Sequence, residues 1–227
     1  MAADEVLLDL ARAGTASLRF YAWSPPTLSL GYFQTERVRH ADPLLAGLPF
    51  VRRPSGGDTL VHDRELTYAL ALPPGPPWQM RAVSWQRHMH GVIASALRLL
   101  GVAAYLCDSP ADHRFGSPLC FHHFTPGDLL VGKAKIAGSA QRRQRGALLQ
   151  HGAVVLGQSP SNPSVPGIRD LAGLDLRATE LAEAIQQEFE RRTQWHLVCG
   201  DWTESEERRI AELVVAKYAH EDWNRKR

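Results

Sequence analysis

The sequence predicts an α+β fold in which helices pack on a mixed β-sheet, and two observations carry that prediction. Apolar residues recur with a helical period in three long stretches. Between them lie short runs of β-branched and aromatic residues bounded by glycine and proline, the pattern of strands joined by turns. At 227 residues the chain suits one domain, which can bury roughly 70% of its unfolded surface and needs no covalent staple. That domain is expected to span residues 1 to 227, with a helical region from about 178 to 227 packed on it.

In chain order, "EVLLDLARAG" reads as a short helix stopped by Gly14, and "SLRFYAWSPPTLSLGYF" as two β segments split by Pro25 and Pro26. "LPFVRRP" and "LTYALAL" are apolar runs flanking a polar stretch, so Gly56-Gly57 is expected to turn one strand into the next. In "SWQRHMHGVIASALRLLGV", residues Trp85, Met89, Val92, Ile93, Ala96, Leu99 and Leu100 fall on one helix face. Ser84 is placed to cap its start and Gly101 its end. "DLLVGKAKIAGSA" predicts a hairpin around Gly132-Lys133, and "GALLQHGAVVLG" a further strand. "GQSPSNPSVPGIRDLAG" is the best candidate loop. Two amphipathic helices close the chain, the second opening on Thr203 and Glu206 in capping-box spacing.

Composition excludes several classes. The net charge of +2 is too small to imply a nucleic-acid partner. No apolar run approaches membrane length, and Asp4, Glu5 and Asp9 stand where a targeting peptide would be basic, so a cytoplasmic protein with no membrane partner is expected. Three cysteines without CxxC spacing indicate neither a disulfide framework nor a zinc ribbon.

Chemistry concentrates in two segments. In "RRPSGGDTLVHDRELTYAL" the double glycine Gly56-Gly57 would let a ligand approach the backbone, and Arg52 and Arg53 offer cationic forks for a phosphate or carboxyl group. The same stretch also reads as a turn with solvated arginines. It fits neither a P-loop nor a dinucleotide fingerprint. In "GKAKIAGSAQRRQRGALLQHGAVVL", Lys135 lies on a predicted strand. If partly buried it would have a lowered pKa and could act as acid, base or oxyanion donor; if exposed it is an ordinary strand lysine.

Taken in order, the two segments resemble the arginine, double-glycine, histidine signature and the lysine, Gly-Ser-Ala, His-Gly signature of the biotin/lipoate ligase and octanoyltransferase superfamily. "LRFYAWSPPTLSLGYFQ" looks like that family's first hairpin, and "VVAKYAHEDWNRKR" like its C-terminal ending. The resemblance implies a biotin/lipoate ligase-like fold and an activity on medium-chain acyl or lipoyl groups destined for a lysine of a carrier domain. One octanoyltransferase branch has a late Pro-Cys-Gly-Ile motif, where this chain reads "SVPGIRDL" without a thiol. Another has a Cys-Phe pair before the lysine strand, and "SPLCFHHF" puts Cys120 at that place.

The resemblance therefore implies octanoyl transfer through a Cys120 thioester, with Lys135 as acid/base and oxyanion donor. The implied donor is octanoyl acyl carrier protein, and the acceptor a lipoyl domain or glycine cleavage H protein. Substrate-binding roles fall on Arg52, Arg53, Ser55, Gly56, Gly57, His62, Gly138, Ser139, Ala140, His151 and Gly152. No cofactor and no metal is expected. ATP and Mg would be needed only by the alternative, an ATP-dependent lipoate–protein ligase; a non-catalytic carrier-binding module is the third reading. Asp58 follows the double glycine where relatives carry glycine or arginine, and would repel a phosphate. Cys107 and Cys199, in apolar contexts, are expected to pack. His122 and His123 are adjacent and cannot easily converge on a metal with Cys120. Arg142, Arg143 and Arg145 form a basic knot that could steer an acidic carrier.

Overall fold

The computed structural model describes residues 1–40, 42–79, 83–108 and 119–226. Helix α1 (Ala2–Arg12) leads to strands β1 (Ser17–Tyr21) and β2 (Thr27–Leu30), then to the single turn α2 (Pro43–Ala46). Strands β3 (Phe50–Arg52), β4 (Leu60–His62) and β5 (Glu65–Leu72) precede α3 (Trp85–Leu99). After β6 (Tyr105–Leu106), β7 (Leu129–Val131), β8 (Ala134–Gln144) and β9 (Ala147–Val155) come α4 (Ile168–Ala172), α5 (Ala178–Thr193), α6 (Glu204–Leu213) and α7 (Glu221–Asn224).

Six strands form an antiparallel sheet in the order β1-β5-β9-β8-β7-β6. A second sheet, β3-β2-β4, is mixed, with β2 parallel to β3 and antiparallel to β4. Because strand side chains alternate, β5 serves two cores. Leu66, Tyr68, Leu70 and Leu72 join Met89, Ile93 and Leu97 of α3 and Leu181, Ile185 and Phe189 of α5. Ala69 and Ala71 meet Leu7, Leu8 and Ala11 of α1 on the other face, where small residues let the helix lie close. Burial of each of these large side chains stabilises the fold by about 1.5–3 kcal/mol. Both faces being covered explains why "ELTYALAL" is buried throughout.

Helix α3 begins where Ser84 accepts the backbone N–H of Arg87, and the chain leaves it through Gly101 at φ +86°. Gly14, at φ +107°, follows α1 in the same way. Thr203 and Glu206 form the expected capping box at the start of α6. Three expectations need correction. The segments around Pro25 and Pro26 are strands but not a hairpin, since β1 and β2 enter different sheets. Gly56-Gly57 does not lead from the "LPFVRRP" strand directly into the "LTYALAL" strand either: among the described residues β3 pairs with β2, and β4 intervenes before β5. Cys107 is buried as expected, whereas Cys199 is exposed because the segment after α5 forms no strand. Among the described residues no helix is long and apolar enough to cross a membrane.

Candidate active site

The site starts with an irregularity in the β7–β8 hairpin. Lys135 pairs with Leu130, but Ala137, not Ile136, pairs with Leu129, so β8 carries one extra residue. This bulge breaks the alternation of faces. Ile136 and Ala137 both enter the helix-covered core, and Lys135 and Gly138 come together on the opposite side. A Cβ at Gly138 would lie 2.7 Å from Lys135 Cε and 3.0 Å from Nζ, so only glycine lets the lysine side chain lie across its own strand.

Lys135 is buried and its ammonium donates to the Asp128 carboxylate at 2.8 Å. Asp128 is buried too, and its Oδ2 also accepts from the Thr125 backbone N–H and hydroxyl. The remaining donors of Lys135 face Cys120: its carbonyl oxygen at 3.3 Å and its Sγ at 3.7 Å. Cys120 is half-buried in the short turn Cys120–His122, and its backbone N–H donates to Thr59 O at 2.9 Å, tying it to the loop after the double glycine. Burial pulls the Lys135 pKa down, but Cys120 and Asp128 more than offset that, and the net shift is upward. The lowered pKa expected from burial alone is therefore corrected: Lys135 is a firm ammonium at neutral pH, suited to holding a thiolate, donating to an oxyanion and giving a proton to a leaving group.

Beside Cys120 opens a cleft of about 490 Å³. Gly57 and Asp58 form its rim, and Gly138, Ser139, Ala140, His151 and Gly152 line one wall. His62, Thr67, Ser29, Arg53, Leu60, Phe121, Tyr21 and Met1 supply the rest. A Cβ at Gly152 would sit 2.5 Å from Gly138 O and 2.8 Å from the Tyr68 ring, so this glycine permits the close pairing of β8 and β9. The wall contains two parallel relays. His151 Nδ1 faces Asp4 Oδ2 at 3.1 Å and its Nε2 faces Ser55 Oγ at 2.5 Å; His62 Nδ1 bonds Glu65 and its Nε2 faces Ser29 Oγ at 2.7 Å. Trp23 stacks on His62 at 4.2 Å. Burial lowers the His151 pKa, and the bonds to His151 help hold Asp4 at about 2 against its own burial, so this pair is a neutral imidazole on a carboxylate.

The arginines are elsewhere engaged. Arg52 is fully buried and donates to the carbonyls of Gly31, Tyr32, Gln34 and Asn224, away from the cleft. Arg53 lines the cleft, yet its guanidinium donates to Ser29 O, Gly56 O and Asp58 O. Reading these two as an anion fork is corrected: their donors face backbone carbonyls of the protein itself. Gly56 lies under the Phe33 ring rather than in the cleft, and Ser55 reaches it only through His151. Gly57 has φ +87°, and a Cβ at Gly31 would lie 1.8 Å from Gly57 O, so the two loops touch backbone to backbone. His122 turns to Ser164, and in the basic knot Arg142 donates to Pro54 O and Arg143 to Gln79.

Residues that sequence reasoning missed are Asp128, Asp4 and Glu65, the three buried carboxylates behind Lys135, His151 and His62. A carboxylate seven residues before a strand lysine, across a predicted hairpin, was the one signal available for Asp128.

The model of the lipoyl protein ligase A/B catalytic domain matches residues 1–163. Octanoyltransferase LipM of Kyrpidia tusciae is 34% identical over 99% of this chain and 93% of its own length. The Geobacillus kaustophilus protein of the same name is 35% identical over 100% of this chain and 93% of its own. The fold is similar to that of lipoate-protein ligase A bound with ATP, with a TM-score of 0.78 and 26% identity, covering 98% of this chain and 91% of that one. On that match over more than half its length, and on relatives similar from end to end, the chain belongs to the lipoyl protein ligase A/B catalytic domain family.

Proposed function

We propose that this protein is an acyltransferase that moves an octanoyl group from acyl carrier protein to a lysine of a lipoyl domain or glycine cleavage H protein, through a thioester on Cys120. The observation that carries the reading is the half-buried thiol 3.7 Å from a buried ammonium that is itself fixed by a carboxylate, at the mouth of a cleft. An ammonium so placed stabilises the thiolate, which is the nucleophilic form.

In the first step the Cys120 thiolate attacks the donor's thioester carbonyl. Its C–S bond forms, the donor's C–S bond breaks, and the departing thiolate takes a proton from Lys135. In the second, the neutral acceptor amine forms the C–N bond, the Cys120 C–S bond breaks, and the amine's proton goes to Lys135, restoring the ammonium–thiolate pair. The Lys135 ammonium beside Sγ is placed to stabilise the oxygen that becomes negative in the first tetrahedral intermediate, and the proton it takes from the acceptor amine restores that stabilisation in the second. Thioester exchange is nearly isoenergetic, so the reading requires no nucleotide and no metal; the exposed Asp58 at the rim suits a neutral acyl chain better than a phosphate. His62, His151 and the Gly138 to Ala140 wall hold the chain, and catalysis takes place in the cytoplasm.

Incubating the protein with octanoyl acyl carrier protein and measuring intact mass tests this. The expected result is one hydroxylamine-labile octanoyl adduct, absent from Cys120→Ser; a labile adduct that persists in that variant overturns the assignment.

A further inference from the structure

The strand registers give the acyl cleft a direction and a length. Gly138 of β8 stands opposite Ala153 of β9, Ala153 opposite Thr67 of β5, and Thr67 opposite Tyr21 of β1. These positions make a row straight across the six-stranded sheet, and Gly138, Thr67 and Tyr21 all line the cleft. Cys120 stands at the β8 end, since its Sγ is 3.7 Å from the Lys135 ammonium that lies against Gly138. An acyl group on that sulfur runs from β8 across β9 and β5 toward β1.

Strand β1 closes that path. Leu18 and Phe20 pack into the helix-covered core, so Arg19 and Tyr21 stand on the cleft side and Trp23 continues their line. Three contacts hold the Tyr21 ring against displacement. The Arg19 guanidinium carbon lies 4.1 Å from the ring centroid, Trp23 is 6.1 Å away, and the hydroxyl donates to Asp4 at 3.0 Å. Trp23 in turn donates to Thr67 at 3.1 Å and stacks on His62 of the second sheet, so this palisade bridges the two sheets.

Before Tyr21 the floor is low, because Gly138, Ala153 and the neighbouring Gly152 carry little or no side chain. Strands lie about 4.8 Å apart, so two spacings of about 10 Å in all separate β8 from β5, and Tyr21 fills the next. An extended chain advances about 1.2 Å per bond, so an octanoyl group spans about 9 Å from carbonyl carbon to methyl, and two more carbons add about 2.5 Å. Eight carbons end over Thr67; ten meet the tyrosine ring.

We propose that Tyr21 is the residue that sets acyl length, a fixed stop that admits an eight-carbon chain and turns back a longer one. The inference rests on the transfer reading above, which seats the acyl group on Cys120.

To test it, hexanoyl, octanoyl, decanoyl and dodecanoyl acyl carrier protein are offered together in equal amounts, and the adducts on Cys120 are measured by intact mass. The unaltered chain should carry mainly octanoyl. Tyr21→Val, which shortens the stop and suits a strand, should raise the decanoyl-to-octanoyl ratio about tenfold or more, the scale of a methylene misfit in an apolar pocket. Tyr21→Trp should shift the preference the other way, toward hexanoyl. Tyr21→Phe keeps the ring but drops the bond to Asp4, and should keep the octanoyl preference whatever its rate of loading. A second arm needs no thioester. Sodium alkanoates of six to twelve carbons are titrated into Cys120→Ser with and without Tyr21→Val, and the length that raises the melting temperature most should move from eight carbons to ten. An unchanged length profile in Tyr21→Val and Tyr21→Trp overturns the proposal. So does a Tyr21→Phe variant that accepts decanoyl as Tyr21→Val does, which would give the selection to the hydroxyl, or an alkanoate effect with the same length dependence in both proteins. If the alkanoate optimum moves as expected but no adduct ever forms on Cys120, the stop stands and the transfer reading fails.

Discussion

Arg53 and Lys135 are both buried cations beside the same thiol, and they are used in opposite ways. Arg53 aims its donors at the backbone carbonyls of Ser29, Gly56 and Asp58, and burial pulls its pKa below the usual guanidinium value. Lys135 aims at a carboxylate and at Cys120, and these lift its pKa despite burial. The difference teaches that a cation in a cleft is not thereby a ligand-binding group. What decides is whether its partners are fixed backbone oxygens or ionisable side chains such as Asp128 and Cys120. Arg52, even more deeply buried, belongs with Arg53 on the structural side.

The largest effect expected from this division is on stability. Arg52→Ala takes the buried guanidinium away from the carbonyls of Gly31, Gln34 and Asn224 and should lower the unfolding free energy by about 3–5 kcal/mol in a urea titration. A loss below 1 kcal/mol would break the comparison. Next comes Lys135→Arg, which keeps the charge but cannot give up a proton near neutral pH. Octanoyl transfer to a lipoyl domain should fall about 100-fold, or about 2.7 kcal/mol, with melting temperature little changed. Lys133→Arg, at the hairpin turn, is the control that should stay within twofold. Equal rates in the two variants would take lysine out of the mechanism.

Asp128→Asn sharpens the same point at about tenfold. With one of its two anionic partners gone, the Lys135 pKa should drop, so the alkaline limb of the rate–pH profile should move to lower pH. A lower rate with an unmoved limb would mean that Asp128 only shapes the hairpin.

The smallest effect is in the relays. His151 has a folded pKa below its unfolded 6.5, so as pH falls below 6.5 the unfolded chain takes up a proton that the native state resists, and stability declines. Asp4, at about 2 against 3.8, adds stability above pH 3.8 that is lost as pH falls toward 2. Thermal melts from pH 7.5 to 5 should therefore slope downward by no more than about 1.4 kcal/mol per pH unit, and His151→Gln should flatten them.

Much of this was legible in the chain because local signals agree with the final fold. Ser84, the apolar face from Trp85 to Leu97 and Gly101 specify α3 without tertiary help, and Gly132-Lys133 between two apolar runs specifies the β7–β8 hairpin. Cys120 and Lys135 were legible through family likeness, since a lone thiol among apolar residues otherwise reads as core. Asp128 was not: an acid before an apolar run looks like a turn residue, and only the bulge at Ile136 turns Lys135 toward it. Asp4 reads as a helix-start acid, yet its partners are Arg19, Tyr21 and, 147 positions away, His151. The roles of Arg52 and Arg53 were misread because donors spent on backbone carbonyls, near for Arg53 and mostly distant for Arg52, leave no trace in side-chain pattern.

The contact between Arg52 and Asn224 has a consequence for how the molecule is made. Asn224 takes the Arg52 backbone N–H and, through its carbonyl, part of the guanidinium, while Trp223 Nε1 donates to Arg52 O. These partners lie 171 and 172 residues apart. A ribosome adding about 5–20 residues per second delivers the second half of this clasp roughly ten to thirty seconds after the first. Throughout that interval the edge of β3 is an open seam, available to chaperones and to other nascent strands, and it closes only when α7 is released.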